Sequence, residues 1–378
     1  MPSQKILIVA GEASGDLHGG ILAGAIKKIS PDVQLYALGG PKLANQGVTL
    51  LEDMLKHAVV GLIEVVKSYS IFRRILFQTL DWIKKEKPDV IVFIDFPGFN
   101  LKLAAQAKKL GVKIVYFVSP QIWAWGKGRI WKIKALVDLM LVLFKFEETM
   151  YKEAGVNVLY VGHPILEALP GEKDVLALIQ PYHELREKTV IGLLPGSRPN
   201  EIKTHLPIML TTAENLYKKN KSLHFILGLA DGACPQIIRD LTAHTKIPLT
   251  IIESGAYTSI ALSRLVLVAA GTVTLEAACF LKPMVILYKI SWGTWCLGRL
   301  VVDVPFLGMV NIVAGEEVAP ECLQSQAKTY FIQKHVEAII ENPEREKEIV
   351  HKLMKVKERL VSDGAARKAA RAILNILA

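Results

Sequence analysis

The chain has 378 residues, 51% hydrophobic, 22% charged and 7% aromatic, a globular composition that excludes collagen-like and disordered classes and suits two domains. Its 46 basic and 36 acidic residues give a net charge of +10, which favours anionic partners: a nucleotide, a phosphorylated metabolite, an acidic lipid surface or nucleic acid. Four separated cysteines, Cys234, Cys279, Cys296 and Cys322, supply neither a disulfide framework nor a zinc pattern and fit a reducing cytosol.

The N-terminus MPSQKILIVAGE lacks a signal-peptide pattern, and no uncharged apolar run approaches the roughly 18–20 residues that span a bilayer. An intracellular protein is expected. Mean hydropathy of +0.31, together with the basic balance, adds the option of lying on a membrane surface. Apolar runs at 5–11, 33–40, 89–96, 113–119, 139–144 and 158–163 alternate with amphipathic segments at 16–29, 70–85 and 100–110. Runs apolar at every position predict strands covered on both faces, hence βα units on a parallel sheet.

Proline, glycine and charge at 170–189 interrupt the alternation. A second series of strands follows at 190–196, 223–230, 248–254, 264–271 and 283–289. The predicted organisation is therefore an α/β fold with two Rossmann-like domains, 1–168 and 188–341, and closing helices over 342–378. Sheets of this kind place ligands at the carboxyl ends of their strands, most naturally in a cleft between domains.

The first strand ends in GEASGD (11–16). There Gly11 and Gly15 allow a tight turn, and the following helix exposes N–H groups to a polar ligand. Ser14 and Asp16 read either as ligand contacts or as helix caps. This is not GxGxxG, so nicotinamide binding is discounted. His18 shares the loop and is a secondary acid–base candidate. Residues 59–83 mix large apolar groups with Lys67, Arg73 and Arg74. That pattern suits an interfacial segment, a dimer contact or an ordinary core helix.

Asp95, in IDFPGFN (94–100), ends a strand as a carboxylate able to accept a proton from a substrate hydroxyl, or as a turn cap. SPQIWAWGKGRIWKI (119–133) carries Trp123 and Trp125 among basic residues, suited to stacking on sugars, to phosphate or to lipid, or simply to packing. A nucleic-acid platform would need a sheet-surface or oligonucleotide-barrel pattern, which is absent. In LLPGSRPNEI (193–202), Gly196 and Ser197 follow a strand and Arg198 offers a fork for phosphate oxygens. In AAGTVTLEAAC (269–279), Gly271, Thr272 and Thr274 repeat the theme and Glu276 could accept both ribose hydroxyls. Two such loops in one domain favour a nucleoside diphosphate. The nine histidines form no HxxxH or HExxH pattern, so no metal is expected.

Eight blocks, in order and across nearly the whole chain, resemble the lipid-A-disaccharide synthases of Gram-negative bacteria. They are GEASGDLHG (11–19), ALGGPKLANQG (37–47), IDFPGFNLKLA (94–104), SPQIWAWGKGR (119–129), FEETMYKEAGVNVLYVGHPILE (146–167), LLPGSRPNEI (193–202), GTVTLEAA (271–278) and NIVAGEEVAPE (311–321). The resemblance implies an inverting, metal-independent glycosyltransferase of the GT-B type, with closing helices that return to the first domain and no cofactor. Its substrates would be UDP-2,3-diacylglucosamine and 2,3-diacylglucosamine 1-phosphate. Its product would be the β-1,6-linked disaccharide 1-phosphate.

By the same resemblance Asp95 is the base candidate, with Glu12 and Asp16 beside it in proton transfer. Gly196, Ser197, Arg198, Gly271, Thr272, Thr274, Glu276 and Asn311 are expected on the donor side. Where the family often carries a basic residue in the last block this chain has Glu316, which receives no phosphate role. The resemblance implies work at the inner face of the inner membrane and shifts Ile71, Phe72, Arg73, Arg74 and Leu76 toward lipid contact. Nucleic acid is not expected as a partner, and a homo-oligomer is left open. The rival readings are another UDP-sugar GT-B enzyme, such as a peptidoglycan-type N-acetylglucosaminyl transferase or a UDP-sugar epimerase, and a noncatalytic nucleotide- or lipid-binding protein.

Overall fold

A computed structural model describes residues 4–57, 62–124, 126, 128–230, 234–253, 255–293, 295, 304–360 and 364–377, with the backbone alone for 62–69. The chain divides into two compact units, 1–168 with 361–378, and 169–360.

The first unit is a seven-stranded parallel sheet: β1 (Lys5–Ala10), β2 (Gln34–Gly39), β3 (Thr49–Asp53), β4 (Val90–Ile94), β5 (Lys113–Phe117), β6 (Leu139–Val142) and β7 (Val158–Tyr160), in the order β3-β2-β1-β4-β5-β6-β7. Its strands are apolar throughout because both faces are covered. Leu7, Val9, Ile91 and Phe93 point into one core layer, beneath the helices Leu62–Glu86, Pro97–Lys109 and Arg129–Leu136. Ile6, Ile8, Ala10, Val92 and Ile94 point into the other, with Leu22 and Ile26 of helix Ala13–Ile29 and Ala369, Ala370 and Ile373 of helix Ala365–Leu377.

The second unit repeats the plan. Strands β8 (Thr189–Leu194), β9 (Leu223–Gly228), β10 (Leu249–Ile252), β11 (Leu265–Ala269), β12 (Met284–Tyr288) and β13 (Glu321–Leu323) form a parallel sheet in the order β10-β9-β8-β11-β12-β13. Both orders reverse direction once, between β1 and β4 in the first sheet and between β8 and β11 in the second. Open α/β sheets bind ligands beside the carboxyl ends of the strands at such reversals.

Three features differ from the sequence expectation. The edge strands β3 and β13 have no counterpart among the predicted runs. Segment 170–189 is structured, with helix Glu172–Ile179 and the 3-10 turn Gln180–Leu185, and lies in the second unit. The closing helices also part company: Pro343–Leu360 stays with the second unit, tied through Arg264 to Glu346 (2.5 Å), while Ala365–Leu377 packs on the first.

Helix Leu62–Glu86 sorts its residues by face. Ile71, Phe72 and Leu76 pack against the first unit's core. All three are partly buried on that side, and helical spacing of apolar groups reads the same for a core face as for a lipid-facing one. Arg73 and Arg74 are exposed, and the Arg73 guanidinium lies 5.6 Å from the centre of the exposed Phe77 ring. Among the described residues no helix is long and apolar enough to cross a membrane.

Candidate active site

The reversal in the first sheet brings together Gly11, Glu12 and the first turn of helix Ala13–Ile29 after β1 with the Asp95–Phe96 turn after β4. Asp95 (φ +43°), Phe96 (φ +45°) and, after β5, Val118 (φ +62°) are all left-handed. This conformation costs non-glycine residues roughly 1–3 kcal/mol each and collects at functional sites. The Asp95 turn is held from several sides. Its carbonyl accepts hydrogen bonds from Asn100 Nδ2 (2.7 Å) and from the Tyr116 hydroxyl, and its N–H donates to the Val118 carbonyl (3.2 Å). The Phe96 ring covers Gly11 so closely that a Cβ there would lie 2.2 Å from it. Phe96 also meets Phe72 and Phe99, with ring centres 5.7 and 6.0 Å apart. Asn100 is wholly buried.

Glu12 is half-buried and forms the non-helical N-cap of helix Ala13–Ile29, and Ser14 beside it is exposed. Gly15 packs at ordinary contact distance on Ala10 and Ile94. Asp16 departs from the expected proton-transfer role. It is fully buried, and its carboxylate accepts the N–H groups of Gly40 (2.8 Å), Lys42 (2.9 Å) and Leu43 (3.2 Å), capping the short helix Pro41–Ala44. Asp16 ties the first turn of helix Ala13–Ile29 to the start of helix Pro41–Ala44.

His18, on the same helix as Asp16, is buried as well. Its ring is buried edge-on to His163, 5.7 Å between centres, and burial lowers His18 to about 4 and His163 to about 3, so both are neutral at pH 7. Trp123 is half-buried and anchored: its indole N–H donates to Glu147 Oε1 (3.3 Å) and its ring meets Phe146 edge-on. Glu147 is buried, which pushes its carboxyl up to about 7. Trp125 lies outside the described residues.

In the second unit the reversal juxtaposes the loop after β8, Pro195–Arg198, with the loop after β11, Ala270–Thr272. Gly196 needs its positive φ of +117°. Ser197 and Arg198 are exposed at the start of helix Pro199–Lys219. His205, fully buried on that helix, steadies the loop: its Nδ1–H donates to the Pro195 carbonyl (2.9 Å) and its Nε2 accepts the Lys289 N–H (3.1 Å).

Across the reversal Thr272 is exposed, and open space surrounds Gly271 on the side where a Cβ would project. Thr274 is buried, and its hydroxyl donates back to the Gly271 carbonyl (2.8 Å), so it shapes the loop instead of offering that proton to a ligand. Glu276 is half-buried and accepts from the Tyr257 hydroxyl (3.4 Å); desolvation pushes its carboxyl up to about 7.

Asn311 is corrected as a direct donor contact. It is fully buried; Nδ2 donates to the Ala319 carbonyl (2.7 Å) and Glu321 Oε1 (2.9 Å), and Oδ1 accepts the N–H groups of Val318 (2.8 Å) and Ala319 (2.9 Å). Glu316 pairs with Lys352 at 3.2 Å.

Asn100, Tyr116, Glu201, His205 and Tyr257 were not singled out in the sequence. Asn100 and Glu201 stand inside the quoted blocks, whereas nothing in the spacing marks His205, Tyr116 or Tyr257.

A family model for lipid-A-disaccharide synthetase matches residues 6–376. The lipid-A-disaccharide synthase of Syntrophus aciditrophicus is 38% identical, over 100% of this chain and 99% of that protein. Lipid-A-disaccharide synthase 1 of Legionella pneumophila strain Philadelphia 1 is 37% identical over 97% and 96%, and the enzyme of Coxiella burnetii strain CbuG_Q212 is 37% identical over the full length of both. In backbone the chain is similar to the UDP-GlcNAc 2-epimerase of Neisseria meningitidis bound to UDP-GlcNAc (TM-score 0.69, 14% identity, 98% and 100% covered). It is likewise similar to S. aureus MnaA in a co-structure with UDP (TM-score 0.67, 13% identity, 99% and 97% covered). At those identities the likeness speaks to the fold, a GT-B-like pair of α/β units. The match along the whole chain decides among the UDP-sugar enzymes that share this fold: the chain belongs to the lipid-A-disaccharide synthase family and is a glycosyltransferase of lipid A disaccharide synthesis.

Proposed function

We propose that the chain transfers 2,3-diacylglucosamine from UDP to 2,3-diacylglucosamine 1-phosphate, inverting the anomeric carbon, at the inner face of the inner membrane. The observation that carries this reading is Asp95, a carboxylate on a strained turn at the reversal of the first sheet, pinned through its own carbonyl by Asn100 and Tyr116. Its carboxylate takes the proton of the acceptor 6-hydroxyl as that oxygen attacks the donor carbon opposite the departing UDP. A single displacement needs no covalent intermediate. Charge growing on the leaving diphosphate is met by Arg198 and the loop N–H groups of the second unit, in place of a metal. The exposed cluster Arg73, Arg74 and Phe77 suits anionic headgroups.

The test is product analysis by mass spectrometry with acylated and non-acylated UDP-glucosamine donors, in magnesium and in EDTA. The acylated pair should give disaccharide 1-phosphate at the same rate in both buffers. Turnover of UDP-N-acetylglucosamine alone would overturn the substrate assignment.

Glu276 supplies a pH signature. Ribose hydroxyls donate to a carboxylate, so UDP selects the ionised form of a group held at about 7 in the free protein. Affinity for UDP should therefore rise with pH toward 7 and level off above it. In ligand-free protein the sign is opposite. Between 4.5 and about 7 the unfolded chain has released this proton while the folded one retains it, so stability falls as pH rises through that window. Glu276→Gln should remove both components. Calorimetric titration with UDP and thermal melts from pH 5 to 8, each compared with wild type, read them separately.

A further inference from the structure

The loop proposed to hold the donor diphosphate already holds an anion that belongs to the chain. Glu201 Oε2 accepts the N–H groups of Ser197 (3.1 Å) and Arg198 (3.3 Å), and Oε1 lies 3.5 Å from Arg198 Nη1. Gly196 makes room for it, since a Cβ at that residue would fall 2.4 Å from Oε2. Two amide donors and a guanidinium around one carboxylate are what a phosphate oxygen would take from the same loop. Neither partner is locked away: the Arg198 side chain is 65% exposed and that of Glu201 25%. The Glu201 contact to the Arg198 N–H is also half of a capping box. A cap alone needs an acceptor, however, and not a negative charge.

We infer that Glu201 is a built-in competitor of the donor diphosphate. It keeps the loop in its anion-binding shape while no donor is present, and it must yield the two N–H groups and Arg198 when the diphosphate arrives. Its charge therefore sets how tightly a diphosphate has to bind to be held, and makes the residue a determinant of donor affinity that touches the donor only by giving way to it. The inference rests on the proposed donor loop, and the two can fail separately.

Glu201→Gln keeps an acceptor for the cap and removes the charge. Isothermal titration with UDP, and with uridine as the phosphate-free control, should show UDP bound about fivefold to tenfold more tightly than by wild type at low salt. The gain should shrink as salt screens it, and uridine affinity should not change. Taking the ratio of UDP to uridine affinity within each protein keeps the comparison valid even where the variant loses some stability. An unchanged or lower ratio, or an equal gain for uridine, overturns the inference. Arg198→Ala addresses the underlying reading: a loss of UDP affinity supports the donor loop, and wild-type affinity would sink it whatever Glu201→Gln does.

Discussion

Asparagine at position 95 is expected to lower kcat by about 10²–10⁴-fold, the range that a positioned general base contributes, with thermal stability close to wild type. The expectation of an intact fold comes from the backbone. Asn and Asp share the tolerance for left-handed φ that position 95 requires, and the substitution leaves in place the hydrogen bonds that the turn makes through the carbonyl and N–H of this residue. The loss should fall on kcat with substrate KM changed little, because removing the acceptor for a proton that moves in the transition state leaves ground-state contacts alone. Alanine at 95 should lose as much activity and some stability as well, since it pays more for the left-handed conformation. Steady-state kinetics beside thermal melts separate the two. Wild-type turnover in Asp95→Asn would remove Asp95 from the chemistry and leave Glu12 as the carboxylate to test next.

The strand series and its division were legible because burial on both sheet faces makes an unbroken apolar run, and that pattern has few other causes. The runs overshot at their carboxyl ends for the same reason. Phe96 and Val118 are apolar and continue the hydrophobic pattern, but both are left-handed and outside the strands. Hydropathy does not encode φ. Strands β3 (TLLED) and β13 (ECL) carry acidic residues within three to five positions, so they lack the unbroken apolar run that betrayed the others.

The same limit applies to the site. Glycine, hydroxyl and carboxylate at a strand end have one sequence signature, whether the side chain faces a ligand or ties down a neighbouring loop. Asp16 is the second case. Its partners lie 24 to 27 residues along the chain, a distance over which spacing carries no signal. Phe72 was ambiguous for a related reason, because a helix face turned to lipid and one turned to Phe96 and Phe99 repeat at the same interval.

Asn311 gives this distinction its largest measurable consequence. All of its side-chain hydrogen-bonding capacity is spent inside the protein, on Val318, Ala319 and Glu321. Glu321 in turn accepts the N–H groups of Leu307 and Gly308 (both 2.9 Å) at the start of helix Met309–Ala314. Replacement by alanine leaves two N–H groups, a carbonyl and a carboxylate oxygen short of partners in a site with no exposure. At roughly 1–3 kcal/mol for each unsatisfied buried group, and with part of the damage relieved by relaxation, the expected loss is on the order of 4 kcal/mol. Aspartate is nearly isosteric but should do no better, because it replaces the donor facing Glu321 with a second acceptor. A denaturant titration reads the loss directly, and UDP affinity measured where the variant is still folded reads the alternative. If Asn311 instead served the donor, Asn311→Ala would keep its stability and lose UDP binding. The two roles therefore predict opposite rankings of the same two measurements.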